Sequence, residues 1–109
     1  MKRSLLLLCL LLPFQVVADE PTAGERLHQL FDAEWSARMD ASPEFAAALG
    51  DHDRAGELSS YSAVTLAKQN KRTLEFLAEL DAIPADQLSD EDRIHAAIFR
   101  AQLENRVAE

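Results

Sequence analysis

Histidines and carboxylates recur in arrangements that invite a metal or acid–base reading. Glu25 and His28 stand three apart, as do Asp92 and His95. On a helix this spacing turns a carboxylate and an imidazole to one side, as in di-iron bundles, where further glutamates project inward from other helices. Asn70 and Thr73 stand where one of those glutamates is expected, and in so acidic a chain ordinary surface histidines are the expected reading. Asp51-His52-Asp53 could hold a cation through a loop, although a polar turn after a glycine helix cap accounts for the same residues. Zinc peptidase chemistry needs histidines that share one metal and a glutamate that takes a proton from the bound water. His28 precedes Gln29, His52 precedes Asp53 and His95 precedes Ala96, so no His-Glu step occurs. No nucleophile-plus-base arrangement is visible, and Gly24, Gly50 and Gly56 are too isolated for a phosphate loop. No catalytic, cofactor-binding or metal-ligating residue is assigned.

Two further features belong to structure. Glu34 and Arg38 are four apart within the apolar arc of the first helix, placed to form a partly buried ion pair. Trp35 on the same helix is expected as a core anchor, with ligand stacking as the alternative.

Four helices position these residues. The first runs from about Pro21 or Thr22 to Ala41, with Leu27, Leu30, Phe31, Trp35 and Met39 at spacings that predict one buried face. Ser42-Pro43 caps a short helix to Leu49, closed by Gly50. Asp51 to Tyr61 is a polar loop. Ser62 then opens a helix from Ala63 to about Ala82 with a seam of Leu66, Asn70, Thr73, Leu77 and Leu80, and with Lys71 and Glu75 as an exposed pair. Ile83-Pro84 stops it. Ser89-Asp90-Glu91-Asp92 caps the last helix, which places three acids near the positive end of its dipole. The expected fold class is all-α: an antiparallel array of three long helices and one short one.

In the last helix, Ile94, Ala97, Ile98, Ala101 and Ala108 form one apolar stripe, and Ala96, Phe99, Leu103 and Val107 form a second on roughly the opposite side. A helix with two apolar stripes needs two neighbours. Arg106-Val107-Ala108-Glu109 contains no Gly or Pro to stop the helix, so the expectation is a segment of a larger helical protein. Phe99 and Leu103 are expected to lie on a surface that meets the remainder of the protein or another protein.

Ahead of the helices stands a leader. Lys2 and Arg3 precede an apolar run from Leu5 to Leu12, and Val16-Val17-Ala18 fits signal peptidase cleavage between Ala18 and Asp19. The uncharged stretch from Ser4 to Ala18 is 15 residues, short of the roughly 20 that a spanning helix needs. Residues 1–18 are thus read as a signal peptide and 19–109 as the mature helical segment. Cys9 leaves with the leader, so packing alone must stabilise what remains. Two of the 11 Lys and Arg are lost and all 19 Asp and Glu are kept, which leaves nine cations and a formal charge of −10. That charge argues against nucleic acid or an anionic membrane surface as partner.

Several blocks carry a family resemblance. Leu27-His28-Gln29-Leu30-Phe31-Asp32-Ala33-Glu34-Trp35, Ser42-Pro43-Glu44-Phe45 with Ala48-Leu49-Gly50-Asp51-His52, Leu77-Ala78-Glu79-Leu80 and Leu88-Ser89-Asp90-Glu91-Asp92-Arg93-Ile94 together resemble the amino-terminal part of the bacterial family of domain of unknown function 885. The resemblance implies a longer, exported or membrane-associated, largely helical protein similar to zinc metallopeptidases, with zinc held by a His-Glu motif further along. No such motif occurs here. In that family an aromatic and more acids usually follow the Gly-Asp-His turn, where this chain has Asp53-Arg54-Ala55-Gly56-Glu57. The expected role is therefore an N-terminal helical scaffold, inactive alone, in a bacterial protein of the periplasm or exterior. The alternative is a free-standing exported helical interaction module.

Overall fold

Each long helix begins on a hydroxyl that satisfies backbone N–H groups the helix itself leaves unpaired. Thr22 caps α1 (Ala23–Ala41) in a full capping box: the Glu25 N–H donates to Thr22 Oγ1 at 3.2 Å, and the Thr22 N–H donates to Glu25 Oε2 at 2.7 Å. Ser62 accepts from the Thr65 N–H to open α3 (Ala63–Asp81), and Ser89 accepts from the Asp92 N–H to open α4 (Asp90–Ala108). Between α1 and α3 lies α2 (Pro43–Ala48), with proline in its first turn. Its end is a Schellman closure around Gly50 at φ 93°: the Gly50 N–H donates to the Ala47 carbonyl and the Asp51 N–H to the Ala46 carbonyl, both at 3.0 Å. A 3-10 turn, Ala85–Gln87, follows Pro84 and links α3 to α4.

The computed structural model describes residues 18–109; the signal-peptide expectation rests on residues before Ala18 and lies outside them. Among the described residues every regular element is helical, in the expected order of three long helices and one short one. Helix α3 runs antiparallel to both α1 and α4. The first turns of α3 share a hollow with Arg106 and Val107, and its end shares another with Arg93 and Ala96.

The core is built from Ala23, Leu27 and Leu30 of α1, Phe76 and Leu80 of α3, Ile83 and Leu88 of the connection, and Phe99 and Leu103 of α4. Burying each large apolar side chain contributes about 1.5–3 kcal/mol, so this cluster holds the three helices together without a disulfide.

Periodicity located these faces but misplaced parts of them. Trp35, expected in the core, is 48% exposed. The buried arc of α1 is centred on Leu27, Leu30 and Glu34, and Trp35 lies a further 100° around the helix. The seam of α3 runs through Thr73, Phe76 and Leu80, whereas Leu66 and Asn70 are exposed. Glu75 pairs with Arg72 at 3.0 Å and not with Lys71. On α4, Phe99 and Leu103 are buried against α1 and α3, and the stripe left uncovered is the other one, with Ile94 61% and Ile98 53% exposed.

Candidate functional site

Glu34 is the most deeply buried charge among the described residues, 3% exposed. Burial of a carboxylate is tolerated only when its oxygens are paired. Arg38, one turn on, donates from Nε to Oε1 at 3.2 Å and from Nη2 to Oε2 at 2.8 Å. Arg106 of α4 donates from Nη1 to Oε1 at 2.7 Å. The sequence pairing of Glu34 with Arg38 is thus present, and a third member arrives from 72 positions away. Its signal in the sequence was slight: Arg106 falls one turn from Leu103, at the edge of the stripe that proves buried. The network ties α1 to α4, with both carboxylate oxygens of Glu34 accepting from arginine.

The two suggested carboxylate–imidazole pairs are rearranged. Glu25 is spent on the α1 cap, which holds its carboxyl below the usual carboxylate range, chiefly through the Thr22 N–H and then its hydroxyl. His28 instead meets Asp92 of α4, Nε2 to Oδ1, at 3.0 Å. Phe31 supports this crossing, edge-on to His28 at 5.7 Å and to Phe99 at 4.9 Å. Gly24 allows the approach, since a Cβ there would stand 3.1 Å from Asp92 Oδ2. His95 lines the groove described below and lies elsewhere.

In the loop, the Asp51 carboxylate accepts from the Asp53 N–H at 3.1 Å and from Arg54 Nη1 at 2.7 Å. Arg54 also donates from Nε to Asp40 at 2.8 Å, which raises its already high pKa. The carboxylate that could have served a cation therefore fastens the loop to the end of α1. Glu44 does similar work: Ser59 donates to it from its hydroxyl and from its N–H, at 2.8 Å for the N–H, and its pKa falls below the usual range. Among the described residues no three His, Cys, Asp or Glu side chains converge as a metal site would require.

One of the grooves between helices lies beside exposed apolar side chains. Phe31, Asp32 and Trp35 of α1 face His95, Ile98 and Gln102 of α4 across a groove of about 380 Å³. Trp35 also meets Phe45 of α2 edge-on at 6.5 Å, so exposed apolar surface runs from Ile98 across the groove to Phe45. A groove of this kind offers dispersion and apolar burial but no nucleophile with a base beside it.

Residues 43–109 match the model of the family described as "Bacterial protein of unknown function (DUF885)". The chain belongs to this family. The match takes in α2, α3 and α4, so the DUF885 portion contains the stripe of Ile94 and Ile98, and the Leu27–Trp35 block of α1 lies outside it. No curated protein and no solved structure matches the chain. What this DUF885 member presents, on the geometry above, is exposed apolar surface carried by α4 and α1.

Proposed function

We propose that this chain is the N-terminal helical scaffold of an exported, metallopeptidase-like protein and has no catalytic group of its own. The observation that carries the reading is the uncovered stripe of α4, where Ile94 and Ile98 are more than half exposed beside the open Trp35 groove. Exposed apolar surface of this kind, contiguous and rimmed by polar groups, marks a place where another protein surface packs. Membership in DUF885 agrees with a helical role of this sort, and the leader from Lys2 to Ala18 supports export with cleavage before Asp19.

Zinc is implied by the metallopeptidase resemblance, and the donors present do not fit it. His28 is engaged with Asp92, His52 lies in the loop after Gly50, and His95 lines the groove, so no three donors share a point among the described residues. A zinc peptidase holds its metal with three protein ligands. In this reading the metal and the peptidase chemistry belong to residues outside this sequence.

The nucleotides after the codon for Glu109 test the proposal. An in-frame continuation into a His-Glu zinc motif is expected. A native stop codon, with a monomeric product that melts cooperatively, would refute it. The purified chain should also hydrolyse no peptide in a zinc-dependent way; turnover lost to a chelator and restored by zinc would overturn the scaffold role. The same stripe supports a second reading, a free-standing exported module that binds another protein through α4. Among the described residues no helix is long and apolar enough to cross a membrane, so neither reading relies on a spanning segment.

A further inference from the structure

Glu34 gathers more cation than it can neutralise. A carboxylate offers about four acceptor positions, and Glu34 fills them with Arg38 Nε, Arg38 Nη2 on both oxygens, and Arg106 Nη1. Two guanidiniums therefore share one negative charge. Arg38 Nη1, with Arg106 Nε and Nη2, finds no acceptor among the described residues. The two arginines, joined by Arg72 of α3, line a hollow of about 240 Å³ between α1, α3 and α4. Glu34 is the one acid in that lining. Arg72 is balanced from outside the lining by Glu75 at 3.0 Å and Glu79 at 3.4 Å, whereas Arg38 and Arg106 have no acid but Glu34. A chain with a formal net charge of −8 thus holds a local excess of positive charge between its helices.

We propose that this hollow binds a small organic monocarboxylate. A guanidinium presents paired N–H groups that match the two oxygens of a carboxylate, and such charge-assisted bonds are stronger than neutral ones. One negative charge is what the excess over Glu34 calls for, since Arg72 already has its own glutamates. The hollow also has an apolar wall suited to a short carbon chain: Ala37 and Ala41 of α1, and Phe76 of α3, whose ring lies 4.1 Å from the Arg72 guanidinium. Ser42 adds a hydroxyl that makes no cap bond to α2, and Gln69 adds an amide. The bound carboxylate accepts from the N–H groups of Arg38 and Arg106 that Glu34 leaves over, and so completes the charge balance of a partly buried network. Inorganic phosphate carries more charge than the excess and has nothing to set against the apolar wall. The site requires nothing of the scaffold reading, because every residue in it belongs to this chain.

The full chain would be titrated with sodium butyrate, exchanged against sodium chloride at constant ionic strength, while the Nε–Hε signals of Arg38, Arg106 and Arg100 are followed by NMR. Saturable shifts of Arg38 and Arg106, with Arg100 unmoved, are the expected result. Butyrate should bind more tightly than acetate, because only butyrate reaches the apolar wall. Arg106→Gln leaves Glu34 and Arg38 as a neutral pair and should weaken butyrate binding by about tenfold or more. Arg100→Gln removes the same charge from the same helix, where Arg100 serves Asp81 and Glu104, and should leave the affinity within about twofold. Circular dichroism would check that both variants keep their helices. Shifts that grow without saturation in the unaltered chain, or equal weakening in the two variants, would reduce the effect to general salt attraction and overturn the site. Tighter binding of inorganic phosphate than of butyrate, lost in Arg106→Gln, would overturn the carboxylate assignment.

Discussion

Ile98 and Phe99 are neighbours in sequence and both strongly apolar, yet the structure gives them opposite fates, and their truncation tests the arrangement of α4. Phe99 is 7% exposed and packs edge-on against Phe31 at 4.9 Å. Phe99→Ala removes a buried ring and leaves a cavity between three helices, a change that costs about 3–5 kcal/mol. A domain of this size has a total stability of roughly 5–14 kcal/mol, so the variant loses a large part of it. At 4–8 °C per kcal/mol for small domains, its melting temperature should fall by roughly 12–40 °C. Ile98 is 53% exposed and lies over the groove. Ile98→Ala should change stability by no more than about 0.5 kcal/mol, since alanine recovers a few tenths through helix propensity. Thermal melts of both variants, followed by circular dichroism at the helical minimum, give the comparison directly. Comparable losses in the two variants, or a Phe99→Ala loss below about 1 kcal/mol, would show that the covered stripe of α4 has been assigned to the wrong side.

Glu34→Gln should destabilise the chain by about 1–2 kcal/mol, measured by urea unfolding; removing one partner of a fully buried pair costs more, but Arg38 and Arg106 keep 35% and 38% side-chain exposure and can rehydrate. Gly50→Ala should cost about 1–2 kcal/mol in the same assay, because φ of 93° is a backbone region that L-residues adopt only with strain. Acid should weaken the fold in part through Glu25 and Glu44, whose folded pKa values lie below the ordinary 4.5. For a depressed carboxylate the stabilisation is present above the unfolded value and disappears as pH falls through the folded one. Unfolding midpoints should therefore decline below about pH 4.5, and Glu25→Gln with Glu44→Gln should flatten that decline; an identical acid limb in the double variant would contradict it.

The resemblance read from the sequence began in α1, at Leu27, but the family match begins at Pro43, so the signature of membership is carried by α2 to α4. The candidate chemistry was legible mainly as local geometry. Glu34 and Arg38 were identifiable as a pair because one turn of helix separates them, whereas His28 with Asp92 and Glu34 with Arg106 join residues 64 and 72 positions apart. No spacing rule reaches across such distances.

The sequence by itself determined where the helices begin and end, because a cap involves a hydroxyl and an N–H only three residues on, and the Gly50 closure needs only its own turn. It also determined that α4 carries two apolar stripes, since a 100° step fixes the angle between side chains on one helix. Only the tertiary structure decided which stripe is covered. Periodicity sets the angle between residues and not the direction from which a neighbour arrives, and α1 and α3 both approach from the side of Phe99 and Leu103. The same undetermined rotation carried Trp35 out of the core and Glu34 into it, and so produced the open groove and the buried ion network at once.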